Sequence, residues 1–91
     1  MKKVTMIASG KVQGVGFRYA TFQLANKLGI KGTVKNELDG TVSIQAQSDE
    51  TLTMQTFIKQ IRQSPTRFGR VDYLDVTLAN FSDFDDFSML N

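Results

Sequence analysis

The chain of 91 residues has no cysteine, no histidine and a single proline. Without cysteine there is no disulfide, no thiolate metal site and no thiol nucleophile. Without histidine the commonest general base and the commonest metal ligand are gone, and no phosphohistidine can form. One proline and seven glycines argue against a linker-rich or fibrous chain. Long apolar runs are also missing. The run from Val4 is broken by Thr5 and stops at Ser9-Gly10, too short and too polar for an export segment. Nothing approaches membrane-spanning length, so a cytoplasmic location and no membrane partner are expected.

What is present suits one small folded domain over residues 1–91. Hydrophobic residues make up 41% and charged residues 22%, which favours a folded chain over a disordered one. The net charge of +2 is unevenly placed. Lys2, Lys3, Lys11, Arg18, Lys27, Lys31 and Lys35 precede the first acid, Glu37. A positive segment of this kind draws small anions by long-range attraction, although solvated surface lysines would look the same.

Within that segment lies Gly10-Lys11-Val12-Gln13-Gly14-Val15-Gly16-Phe17-Arg18. It reads as a strand end, a tight glycine loop and an arginine on the first turn of a helix. The first amides of a helix have no partner inside it, and the dipole makes that end partly positive. A guanidinium there adds a two-pronged grip for phosphate or carboxylate. The segment is built as an anion cradle. It lacks the Lys-Ser/Thr ending of a nucleotide P-loop and the full dinucleotide glycine pattern. An arginine beside a positive helix end is unfavourably placed, and a bound anion relieves the conflict.

Periodicity supplies the frame. Val4, Met6 and Ala8 alternate with Thr5, Ile7 and Ser9, as in a strand. Phe17, Ala20, Thr21, Leu24 and Leu28 share one helical face, and Gly29 closes that helix. Lys31 to Asn36 and Thr41 to Gln47 read as strands joined by a hairpin at Leu38-Asp39-Gly40. Ser48 or Asp49 is expected to cap a second helix with Met54, Phe57, Ile58 and Ile61 on its apolar face, ending at Ser64-Pro65. Val71 to Ala79 reads as a further strand, and Phe84, Phe87 and Met89 fall in a short final or edge strand. The order β-α-β-β-α-β with a tail gives an α+β, ferredoxin-like two-layer sandwich: an antiparallel sheet of four to five strands with two helices on one face.

Asn36, at a strand end before a turn, is the second candidate. It is either a turn residue with local hydrogen bonds or a group that holds a water against a bound anion. Glu37 and Asp39 could suggest a metal pair, but the hairpin accounts for them, and no metal or other cofactor is expected. Asp83, Asp85 and Asp86 read as a solvated loop or a charge-guarded edge. An RNA-binding module of the same architecture needs stacking aromatics on its central strands. Val4–Ser9 and Thr41–Gln47 contain none, so no nucleic-acid partner is expected.

The chain resembles the acylphosphatase family, small enzymes that hydrolyse carboxyl–phosphate mixed anhydrides. The stretch Gly10 to Arg18 carries the resemblance, together with Gly32-Thr33-Val34-Lys35-Asn36 and the following Gly40-Thr41-Val42. The resemblance covers essentially the whole chain. It implies that Arg18 and Asn36 are the catalytic residues, and that the amides of Gln13, Gly14, Val15, Gly16, Phe17 and Arg18 bind phosphate. The chain departs from the family pattern at Thr33, where an aromatic is usual. It departs again at Ser48, where glycine is usual, and at Ala8, where a branched aliphatic is usual. Its ending, Phe87-Ser88-Met89-Leu90-Asn91, lacks the basic or aromatic residues of many members.

The residue inventory agrees with that chemistry. An acyl phosphate expels a carboxylate, whose conjugate acid has a pKa of about 4, so departure needs no proton donor. The expected reaction is metal-free in-line attack of water on a small acyl phosphate by a monomer. The alternative is a domain that binds phosphate or acyl phosphate without turnover.

Overall fold

Alternating side chains of the first strand set the two faces of the sheet. Val4, Met6 and Ala8 are buried, while Thr5, Ile7 and Ser9 are only partly covered. The computed structural model describes residues 1–91. Its elements are β1 (Lys2–Lys11), α1 (Phe17–Leu28), β2 (Lys31–Asn36), β3 (Val42–Ser48), α2 (Thr51–Arg62), β4 (Arg70–Leu78) and β5 (Phe87–Met89). The sheet order is β4-β1-β3-β2-β5. The first four strands pair antiparallel. The expectation of an antiparallel sheet fails at the edge, because β5 runs parallel to β2 through Gly32↔Phe87 and Val34↔Met89. The chain reaches that edge by crossing from β4 at the opposite one, which fixes the direction of β5.

The core lies between the sheet and the two helices. Met6, Ile44 and Val34 from the strands meet Phe17 and Ala25 of α1 and Met54, Phe57 and Ile61 of α2. Each large side chain so buried stabilises the fold by about 1.5–3 kcal/mol. The buried line of α1 is Phe17, Thr21 and Ala25. Ala20, Leu24 and Leu28 flank it at intermediate exposure. Phe87 brings the short β5 into the same core, with its ring 6.4 Å from those of Phe22 and Phe57.

The helix ends follow different chemistry. Gly29 closes α1, its N–H bonding back to the Ala25 and Asn26 carbonyls. The expected side-chain cap of α2 is not formed: Glu50 is the N-cap and makes no side-chain cap bond. Ser48 instead uses its hydroxyl within a local turn, accepting from the Glu50 amide at 3.1 Å.

The acidic tail is tied down rather than merely solvated. Asp83 pairs with Lys3 at 2.6 Å, and that hydrogen bond is the main cause holding the Asp83 carboxyl below its ordinary range. Buried Gln47 grips the same loop from the sheet. Its amide donates to the Phe84 carbonyl at 3.0 Å, and its oxygen accepts from the Phe84 N–H at 2.7 Å. The course from β4 to β5 is therefore fixed before β5 reaches the region of Asn36.

Candidate active site

The loop between β1 and α1 is anchored at both ends by apolar side chains. Val12 and Phe17 are each 1% exposed. Between them Gly14 and Gly16 hold positive φ values of 74° and 79°. These left-handed steps suit glycine, and backbone turns of this kind can form anion-binding nests. The first helical bond runs from the Ala20 N–H to the Gly16 carbonyl at 3.0 Å. The N–H groups of Gln13, Gly14, Val15, Gly16, Phe17 and Arg18 have no acceptor in the protein. Six unpaired backbone donors are thus concentrated at the positive end of α1, an arrangement that suits an anion.

A cavity of about 160 Å³ lies at this loop, lined by Val12, Gly14, Gly16, Phe17, Arg18, Tyr19 and Asn36. Arg18 and Asn36 therefore come together although 18 positions separate them in sequence. Arg18 is half-buried, and its Nη1 donates to the Leu90 carbonyl. That leaves the other guanidinium nitrogens free of protein acceptors. Asn36 ends β2, where its N–H donates to the Asn91 carbonyl at 3.0 Å. Its side-chain Oδ1 is buried and has no hydrogen-bond partner. The Asn36 side chain thus lines the cavity with an amide that makes no hydrogen bond to the protein. The turn-residue alternative for Asn36 does not describe it, since the side chain makes no local bond.

Sequence reasoning missed three contributions. Gln13 supplies more than an amide: its side-chain Nε2 donates to the Glu37 carbonyl at 2.8 Å and the Thr41 carbonyl at 2.9 Å. It braces the cradle against the hairpin that follows Asn36. The backbone after β5 holds both candidates, through Leu90 to Arg18 and through Asn91 to Asn36. Tyr19 lines the cavity and stacks against Phe22 with centroids 6.4 Å apart. A tyrosine at this helical position, next to the cradle arginine, was the available signal. The Val15 side chain points elsewhere, into a neighbouring depression.

The two hairpin acids are engaged locally. Asp39 accepts from the Thr41 hydroxyl at 2.7 Å and its N–H at 3.0 Å. The hydroxyl bond is the larger cause holding its carboxyl below the usual range. Glu37 accepts from the Ser43 hydroxyl at 2.5 Å. These bonds fix the hairpin, and with it the end of β2 that carries Asn36.

The acylphosphatase family model matches residues 4–89. The chain belongs to the acylphosphatase family. An acylphosphatase of Lactobacillus gasseri is 50% identical over 91 residues, covering 99% of each chain. One from Enterococcus faecalis is 53% identical over 76 residues, or 84% of this chain and 82% of that one. The crystal structure of the Bacillus subtilis acylphosphatase superposes with a TM-score of 0.93 at 33% identity, covering both chains fully. The family model and these relatives make the chain an enzyme of acyl phosphates, and the solved structure shares its fold.

Proposed function

We propose that the chain hydrolyses the carboxyl–phosphate bond of small acyl phosphates by direct in-line attack of water at phosphorus, with Arg18 and Asn36 as its catalytic residues. One observation carries the assignment of roles: the Asn36 side chain, which makes no hydrogen bond to the protein, lines one cavity with Arg18 and with loop residues whose amides are unpaired. The amides of Gln13 through Arg18 and the free arm of the guanidinium hold the phosphoryl oxygens. They stabilise the charge that develops there without reorganising. The Asn36 side-chain amide holds a water and aims its oxygen at phosphorus.

In the step itself, the water oxygen forms a bond to phosphorus and the phosphorus–acyl oxygen bond breaks. The electron pair leaves on the carboxylate. The water proton passes to a phosphoryl oxygen of the substrate. No side-chain base is required, in keeping with a sequence that has no histidine and no cysteine. We take the enzyme to act as a monomer, because every group in this scheme comes from one chain.

Hydrolysis of benzoyl phosphate, followed by loss of ultraviolet absorbance in oxygen-labelled water with chelator present, tests the reading. The expected result is chelator-resistant turnover with label in the phosphate product. Label in benzoate would mean attack at the carbonyl carbon. No turnover by the folded protein would make the cradle a binding site only.

A further inference from the structure

A shallow, open depression lies beside the cradle, lined by Lys11, Gly14, Val15, Arg67 and Phe68. It meets the first cavity at Gly14. We propose that this depression is the leaving-group subsite, and that Lys11 and Arg67 make it select acyl phosphates whose acyl portion carries a second anionic group. The inference rests on the hydrolytic reading above and extends it to the substrate class.

Sheet order supplies the direction. Asn36 ends β2, which lies beyond β3 on one flank of β1. Arg67 and Phe68 precede β4, which pairs with β1 on its other flank through Lys11↔Arg70. The cradle loop continues from the end of β1 between the two. In-line displacement places the entering water and the departing oxygen on opposite sides of phosphorus. A water held by Asn36 therefore drives the carboxylate toward Lys11, Arg67 and Phe68.

The depression is built to hold that position. The Thr66 hydroxyl donates to the Val15 carbonyl at 3.3 Å, which ties the segment before β4 to the cradle. Gly69 lets the two segments approach closely: a Cβ there would sit 2.8 Å from the Lys11 carbonyl oxygen. The Arg67 guanidinium lies 5.0 Å from the centroid of the Phe68 ring, within cation–π range. Its neighbour Arg70 is spent on Asp72 at 2.6 Å. Neither Lys11 nor Arg67 is in an ion pair. Two unpaired cations beside an aromatic face, on the leaving side of the reacting phosphorus, suit an acyl group ending in a carboxylate or phosphate.

The test compares glutaryl phosphate with pentanoyl phosphate, which have acyl chains of equal length and differ in the distal carboxylate. Both carry the same reacting phosphate, so the ratio of their kcat/KM values isolates the second anion. The wild-type ratio is expected to favour glutaryl phosphate and to fall as salt is added. The double variant Lys11→Gln/Arg67→Gln is expected to lower the ratio by about tenfold while pentanoyl phosphate turnover changes by less than about threefold. An unchanged ratio in a variant that still hydrolyses pentanoyl phosphate overturns the subsite and leaves the hydrolytic reading standing. Equal losses on both substrates assign the cations to general attraction of phosphate, and also overturn it. Failure of the wild type on both substrates overturns the hydrolytic reading and the subsite together.

Discussion

The side-chain amide of Gln13 donates to the main-chain carbonyl of Glu37 at 2.8 Å, joining the cradle loop to the residue after Asn36. A second bond from the same nitrogen reaches the Thr41 carbonyl at 2.9 Å. One glutamine thus spans both sides of the hairpin and sets the distance between the phosphate-binding amides and Asn36. Gln13→Leu leaves two carbonyls unpaired and is expected to cost about 1–3 kcal/mol of stability. Gln13→Glu faces those carbonyls with a carboxylate and should cost more. Urea unfolding checks the stability. In the folded variants kcat should fall more than phosphate affinity, because the misplacement is between water and phosphorus.

Arg18 has two duties that a single charge cannot perform. Nη1 bonds the Leu90 carbonyl, and the remaining donors face the cavity. Arg18→Lys keeps the charge and loses the fork. It should lower kcat/KM by about two to three orders of magnitude, the range typical for losing a preorganised donor. Steady-state kinetics with benzoyl phosphate measures the loss. Near-normal rates in the lysine variant would show that charge alone suffices.

Gly14 and Gly16 separate conformation from space. A Cβ at either position meets nothing within 4 Å, yet both have φ in the left-handed region. Alanine there strains the backbone by about 1–2 kcal/mol and re-aims the neighbouring N–H groups. The expected result for Gly14→Ala is a folded protein with raised KM and weaker inhibition by inorganic phosphate.

Phe87 connects the core to the site. It is 4% exposed and packs between Phe22 and Phe57, and the two residues after β5 hold Arg18 and Asn36. Phe87→Ala should destabilise by about 3–5 kcal/mol. Activity is expected to fade at lower urea concentration than the fold itself, because the edge strand loosens first. Parallel activity and circular-dichroism titrations check this.

Much of this arrangement was legible in the sequence because it rests on period and backbone chemistry. The alternation in β1 and β3, the helical faces, the glycine loop and the hairpin at Leu38-Asp39-Gly40 each have a local cause. What escaped is non-local. Glutamine in a loop has no signature for the carbonyls it will reach, so the brace from Gln13 was invisible. The parallel pairing of β5 depends on a crossing that Lys3 of β1 and Gln47 of β3 pin through Asp83 and Phe84. The α2 cap was misread because a serine hydroxyl bonds equally well within its own turn. The buried line of α1, Phe17, Thr21 and Ala25, runs at i, i+4 and i+8, and the small Ala25 gives it little hydrophobic signal.

The most direct measurement is kcat for Asn36→Ala with benzoyl phosphate, taken together with the inhibition constant of inorganic phosphate. If Asn36 aims the attacking water, kcat falls by about two orders of magnitude or more, while phosphate inhibits the variant as well as it inhibits the parent. A folded variant that keeps the parental kcat would contradict that role and the in-line scheme built on it.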